Sequence, residues 1–89
     1  PYADCLSTAR LEVARVESGA FTDTHAIAVF LAMKDNEWLP PARFEPGTLL
    51  KVRLVPFKSA PPAVRSIRRV DDLDDFERIP YYALDWEVR

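Results

Sequence analysis

The run AIAVFLAM at residues 26–33 carries no polar side chain at all. A strand with one wet face alternates apolar and polar residues, whereas a strand covered on both faces reads as an unbroken apolar stretch of strand length. The segment is therefore predicted as a central strand, and the rest of the chain must supply cover for two faces. A chain of 89 residues forms one domain, and at this size it buries only roughly 60–65% of its unfolded surface. Its 48% hydrophobic and 11% aromatic content is enough for an efficient core.

Prolines divide what surrounds this run. LPPARFEPG, residues 39–47, cannot form a regular ladder, because its three prolines have no N–H to donate. Pro61 and Pro62 likewise exclude a sheet or helix interior from KSAPPA. Between them, TLLKVRLVPF alternates cleanly, with Leu50, Val52 and Leu54 on one face and Lys51, Arg53 and Val55 on the other. Pro46 and Gly47 stand where a turn should launch that strand, and KDNEW carries turn chemistry after the central run. Residues 5–17, CLSTARLEVARVE, switch parity: Leu11 and Val13 share one face, Leu6, Ala14 and Val16 the other. This predicts a long first strand bent near Val13, followed by a hairpin-type connection through SGAFTDT. VRSIRRV, residues 64–70, reads as a fourth strand. YYALDWEV reads as a fifth, with Tyr82, Leu84, Trp86 and Val88 inward. Five strands, a bent first one and almost no helix predict an all-β fold, a small five-stranded OB-like barrel, with a small β-sandwich as the alternative. Leu11, Val29, Leu31, Leu50, Val52, Leu54, Leu84 and Trp86 are expected to be buried together.

Chemistry-bearing residues are few. DDLDDFE places Asp71, Asp72, Asp74, Asp75 and Glu77 close together, but it lacks the glycine and the regular carboxylate spacing of a calcium loop. Arg65, Arg68 and Arg69 lie just upstream, so a salt-bridged turn is expected there and no metal site. His25, the only histidine, has no accompanying nucleophile motif and reads as a loop or strand-end residue. Cys5 has no disulfide partner and reads as a small buried hydrophobe, which leaves the redox compartment open. No catalytic motif and no cofactor motif is present. Among the aromatics, Trp38 stands in a polar turn and Tyr81 faces away from the Trp86 side, so these two are the candidates for stacking on a ligand.

With 12 basic and 14 acidic residues the net charge is −2, which argues against a general nucleic-acid binder. No apolar run approaches the roughly 20 residues that span a bilayer. The chain begins at Pro1, and a piece of a longer protein is the expectation.

The order YADCLSTARLEVARVESG, AIAVFLAMKDN, LPPARFEPGTLLKVRLVPF and DDLDDFERIPYYAL resembles a carboxy-terminal accessory domain of bacterial SGNH-type proteins. Those proteins are similar to the acetyltransferases that decorate alginate and related exopolysaccharides. The first segment also resembles netrin- and TIMP-like OB domains, whose disulfides have no counterpart here. The catalytic Ser and Asp-x-x-His motifs of an SGNH domain are absent, so no active-site residue carries over. The resemblance implies an OB-like appendage, periplasmic or extracellular, that helps an attached catalytic domain hold a polysaccharide. In that reading Trp38 and Tyr81 stack on sugar rings, Arg68 and Arg69 pair with uronate carboxylates, and Asp74 and Asp75 accept hydroxyl hydrogen bonds. Two other classes stay open: a structural or protein-interaction module without glycan affinity, and a single-stranded nucleic-acid-binding OB domain. The charge of the folded groove separates them, since an acidic-aromatic groove suits neutral sugar and a basic one suits an anionic polymer.

Overall fold

The computed structural model describes residues 3–67 and 78–89. Among the described residues the chain is mostly β: β1 (Cys5–Glu12), β2 (His25–Lys34), β3 (Glu37–Trp38), β4 (Leu50–Pro56) and β5 (Pro80–Val88), with one α-helical turn, α1 (Pro62–Arg65), and 3-10 turns at Pro40–Arg43 and Phe57–Ser59. All five strands belong to one mixed sheet in the order β1-β2-β5-β4, and β3 pairs with the far end of β2. The β1–β2 and β4–β5 ladders are antiparallel. Between them runs a short parallel pairing of Ile27, Ala28 and Val29 with Pro80, Tyr81 and Tyr82. Among the described residues no ladder joins β1 to β4, so the sheet is open.

The central run lies where its composition demands. Ala26, Ile27, Ala28, Val29 and Phe30 are all buried, because alternate side chains of β2 feed separate apolar clusters. On one face Leu6, Val29, Ala60 and Tyr82 pack with Leu31, Val55, Phe57, Val64 and Ile67. On the other, Ala28, Phe30 and Ala83 pack with Ala9, Leu11, Phe44, Leu50, Val52, Leu54 and Trp86. The expected single core is thus two layers, and Val29 and Leu31 lie across the sheet from Leu50, Val52 and Leu54. Irregular segments provide the cover. The 3-10 turn at Pro40–Arg43 leads into Phe44, whose ring meets Phe30 and Trp86 edge-on at 5.7 and 5.2 Å. On the opposite face, Phe57, Ala60, Val64 and Ile67 serve the same purpose.

Turn chemistry sets the connections. Asp35 and Asn36 both adopt positive φ, 51° and 67°, as a two-residue hairpin of the I′ kind requires. This folds β3 back onto Met33 and Lys34. Trp38 therefore sits in a short strand and not in the turn itself. The N-terminal segment holds the hairpin tip: the Asp35 N–H donates to Asp4 Oδ1 at 2.9 Å and the Asn36 N–H to the Ala3 carbonyl at 2.8 Å. Pro46 and Gly47 occupy the middle of a β-turn closed by the Thr48 N–H on the Glu45 carbonyl at 3.0 Å, with Gly47 at φ 91°. A positive φ after proline is the type II arrangement that favours glycine.

Three strand expectations need correction. β1 ends at Glu12, where a bend near Val13 was expected, and its irregularity lies between Cys5 and Leu6. Beyond Glu12 one further bond, Val13 N–H to the Thr24 carbonyl, closes the ladder. The expected fourth strand begins as helix instead: Pro62 takes the first helical turn, where its missing N–H costs nothing. Beyond the helix the Ile67 N–H donates to the Val64 carbonyl at 3.0 Å, and both side chains pack against the same cluster; the remainder of that candidate strand, residues 68–70, lies outside the described residues. Finally, the inward alternation of Tyr82, Leu84 and Trp86 fails. Arg53 pairs with Asp85 but Leu54 pairs with Ala83, so Leu84 is the extra residue of a bulge. Leu84 is 44% exposed, while Ala83 and Trp86 share one cluster.

Candidate functional site

The loop from β1 to β2 and the residues leading into β5 meet because β2 and β5 run parallel from adjacent starting points. Between them opens a cleft of about 310 Å³, lined on one side by Phe21, Asp23 and His25 and on the other by Arg78, Ile79 and Tyr81. Its size lies at the lower end of the roughly 300–1,000 Å³ usual for small-molecule sites.

Each wall has a local cause. Asp23 stands two residues before the first residue of β2, and its Oδ1 accepts the His25 N–H at 3.3 Å. This is the Asx-turn habit of aspartate, a side chain standing in for backbone. The same carboxylate receives Arg78 in two bonds, Nε to Oδ2 at 3.1 Å and Nη2 to Oδ1 at 3.4 Å. The His25 backbone N–H and the Arg78 guanidinium together hold the Asp23 carboxyl below its ordinary value of 3.8. Thr24 Oγ1 and His25 Nδ1 share a hydrogen bond at 3.0 Å. Opposite, the Tyr81 ring is half-buried and meets Phe21 edge-to-face, centroids 5.6 Å apart and planes 77° apart. The cleft thus joins an apolar aromatic corner to an acid–base pair.

A carboxylate whose folded value is depressed contributes stability above its unfolded value and loses it as pH falls through the folded one. The Asp23–Arg78 tie is accordingly whole above pH 3.8 and dissolves only in stronger acid. Followed by carboxyl-carbon NMR, Asp23 should titrate below 3.8, and Arg78→Gln should bring the midpoint part of the way back. A wild-type midpoint at or above 3.8 would contradict the pairing.

Of the residues singled out from sequence, Tyr81 lines this cleft. Trp38 is 53% exposed but stands elsewhere. Its partner Met33 and Tyr81's partner Ala28 are five residues apart on β2, roughly 16 Å of extended chain. One platform built from both rings is therefore not formed. Arg68, Arg69, Asp74 and Asp75 lie outside the described residues. Phe21, Asp23 and Arg78 carry no sequence motif that marks them as site residues. Only the Asx-turn position of Asp23 was open to sequence reasoning, since Arg78 lies far along the chain. Cys5 is buried among strand residues. Among the described residues no group of three or more His, Cys, Asp or Glu side chains is placed to hold a metal ion, and no helix is long and apolar enough to cross a membrane.

Comparison of the chain with protein-family models, with curated proteins and with solved structures finds no match.

Proposed function

We propose that this domain is a non-catalytic accessory module that helps an attached exopolysaccharide-modifying enzyme, O-acetyltransferase-like, hold its polymer outside the cytoplasm. The sugar sits in the cleft against the corner that the touching Phe21 and Tyr81 rings form, with Asp23 and Arg78 at its polar end. The observation that carries this reading is that juxtaposition. A sugar ring presents an apolar face of C–H groups and an edge of hydroxyls, and the cleft offers an aromatic corner beside hydrogen-bonding groups fixed in place. The resemblance to SGNH-associated domains points the same way and supplies the attached enzyme.

The finer architecture in this proposal is an OB-like barrel closing between β1 and β4. It is supported by Ala9 and Leu11 of one edge strand packing on the same cluster as Leu50 and Val52 of the other. Glu17, beyond β1, also reaches Lys51 of β4 at 3.6 Å. NMR contacts between the backbones of residues 13–17 and β4 are the test, and their absence leaves the sheet open.

Binding by the isolated domain is weak in this reading, because one aromatic corner leaves little surplus after the cost of association. Calorimetric titration with glucan and alginate oligomers at millimolar concentration should detect it for at least one of them. Tyr81→Ala should weaken it roughly 3–10-fold, the range of one aromatic contact, while Tyr81→Phe keeps most of it. No heat with either polymer would favour a structural or protein-interaction module.

A further inference from the structure

We infer that His25 is the hydroxyl-accepting group of the cleft. Thr24 and Asp23 hold its ring in the neutral form that carries the proton on Nδ1 and leaves the Nε2 lone pair to the ligand. This deepens the reading above and rests on it for the ligand, a hydroxyl-bearing sugar.

His25 is the first residue of β2 and lines the cleft. Its ring is held through one nitrogen: Nδ1 lies 3.0 Å from Thr24 Oγ1, and Thr24 Oγ1 lies 3.5 Å from Asp23 Oδ1. A hydroxyl has one proton to give and two lone pairs, whereas an ionised carboxylate only accepts. If the Thr24 proton turned to Nδ1, a lone pair of Oγ1 would face the Asp23 oxygen. With that proton turned to Asp23, Oγ1 accepts from Nδ1–H and both contacts are attractive. The bond at one ring nitrogen then sets the state of the other. Asp23 is itself placed by the backbone, since its Oδ1 accepts the His25 N–H at 3.3 Å. Carboxylate, hydroxyl and ring are thus fixed within three consecutive residues. Among the described residues nothing bonds to Nε2, and Glu12, the cross-strand partner of His25 on β1, leaves it unengaged. A neutral imidazole protonated on Nδ1 accepts at Nε2. A sugar ring laid against the Phe21–Tyr81 corner carries its hydroxyls at its edge, and Nε2 takes the proton of one of them.

Thr24→Val is the informative change, because it keeps the branched shape and removes the hydroxyl. Imidazole nitrogen NMR shifts, recorded in mildly alkaline solution so that the ring is neutral, report which nitrogen holds the proton. The wild-type ring should be protonated on Nδ1, Thr24→Val should move the proton largely to Nε2, and Thr24→Ser should keep the wild-type pattern. Amide shifts at Phe21 and Tyr81 are then followed while each chain is titrated with a neutral glucan oligomer. His25→Ala and Thr24→Val should each weaken binding roughly 3–10-fold, the scale of one hydrogen bond, and Thr24→Ser should restore it. A wild-type ring protonated on Nε2, or glucan affinity unchanged in either weakened variant, would overturn the role of His25 while leaving a glycan-binding module in place. No glucan shift at any wild-type amide lining the cleft would remove the glycan reading and the role of His25 together.

Discussion

Phe30→Ala is expected to cost about 3–5 kcal/mol of folding stability. Phe30 is among the largest fully buried side chains of the described residues and sits where β2 crosses the middle of the sheet. Its ring is the floor against which Phe44 stands edge-on, and Phe44 in turn braces Trp86. Removing it leaves a cavity that these partners can only partly fill, because Phe44 is tethered between the turn at Pro40–Arg43 and the β-turn at Pro46 and Gly47. At roughly 0.05–0.15 kcal/mol per residue, a chain of 89 residues has about 4–13 kcal/mol in total. The substitution therefore removes a large share of it, and the melting temperature should fall by roughly 12 °C or more. Urea denaturation of the variant beside Leu84→Ala gives the contrast. The bulged, exposed Leu84 should change stability by less than about 0.5 kcal/mol. Equal losses at the two positions would mean that the β5 bulge is misplaced.

Leu6→Ala is expected to cost about 2–5 kcal/mol through a separate mechanism on the opposite face. Leu6 is wholly buried against Val29, Ala60 and Tyr82, beneath Phe57, Val64 and Ile67. It therefore fixes the segment after β4, where Pro61 and Pro62 prevent the backbone from supplying a ladder of its own. The two clusters share no residue, so milder substitutions at sites with two strands between them, Leu50→Val and Leu6→Val, should add within about 0.5 kcal/mol. Strong coupling between them, measured by chemical denaturation of the double variant, would argue for one continuous core.

How much of this was legible depended on whether the determining contact was local. The central strand was readable because burial on both faces demands an apolar residue at every position, and residues 26–33 comply. β4 was readable because one wet face forces Lys51 and Arg53 to alternate with Leu50, Val52 and Leu54. Turn chemistry located the Asp35 and Gly47 turns. What failed was of two kinds. A bulge shifts parity without leaving a compositional mark, so Leu84 looked like Trp86 and was assigned its face. A short stretch such as residues 62–67 is long enough for either a strand or a helical turn, and Pro62 at a first helical position decided for the latter. The cleft was legible only through Tyr81. The ion pair that gives it its character joins Asp23 to Arg78 across a parallel strand pairing, and nothing in either residue's neighbourhood announces the other.

The measurement that bears most directly on the cleft as a sugar site is a backbone amide shift map of the 89-residue chain titrated with a neutral glucan oligomer. The expected result is a set of saturable shifts confined to Phe21, Asp23, His25 and Tyr81, with the amides around Trp38 unmoved because that ring stands some five residues away along β2. Shifts centred on Trp38, or none at any amide lining the cleft, would contradict it.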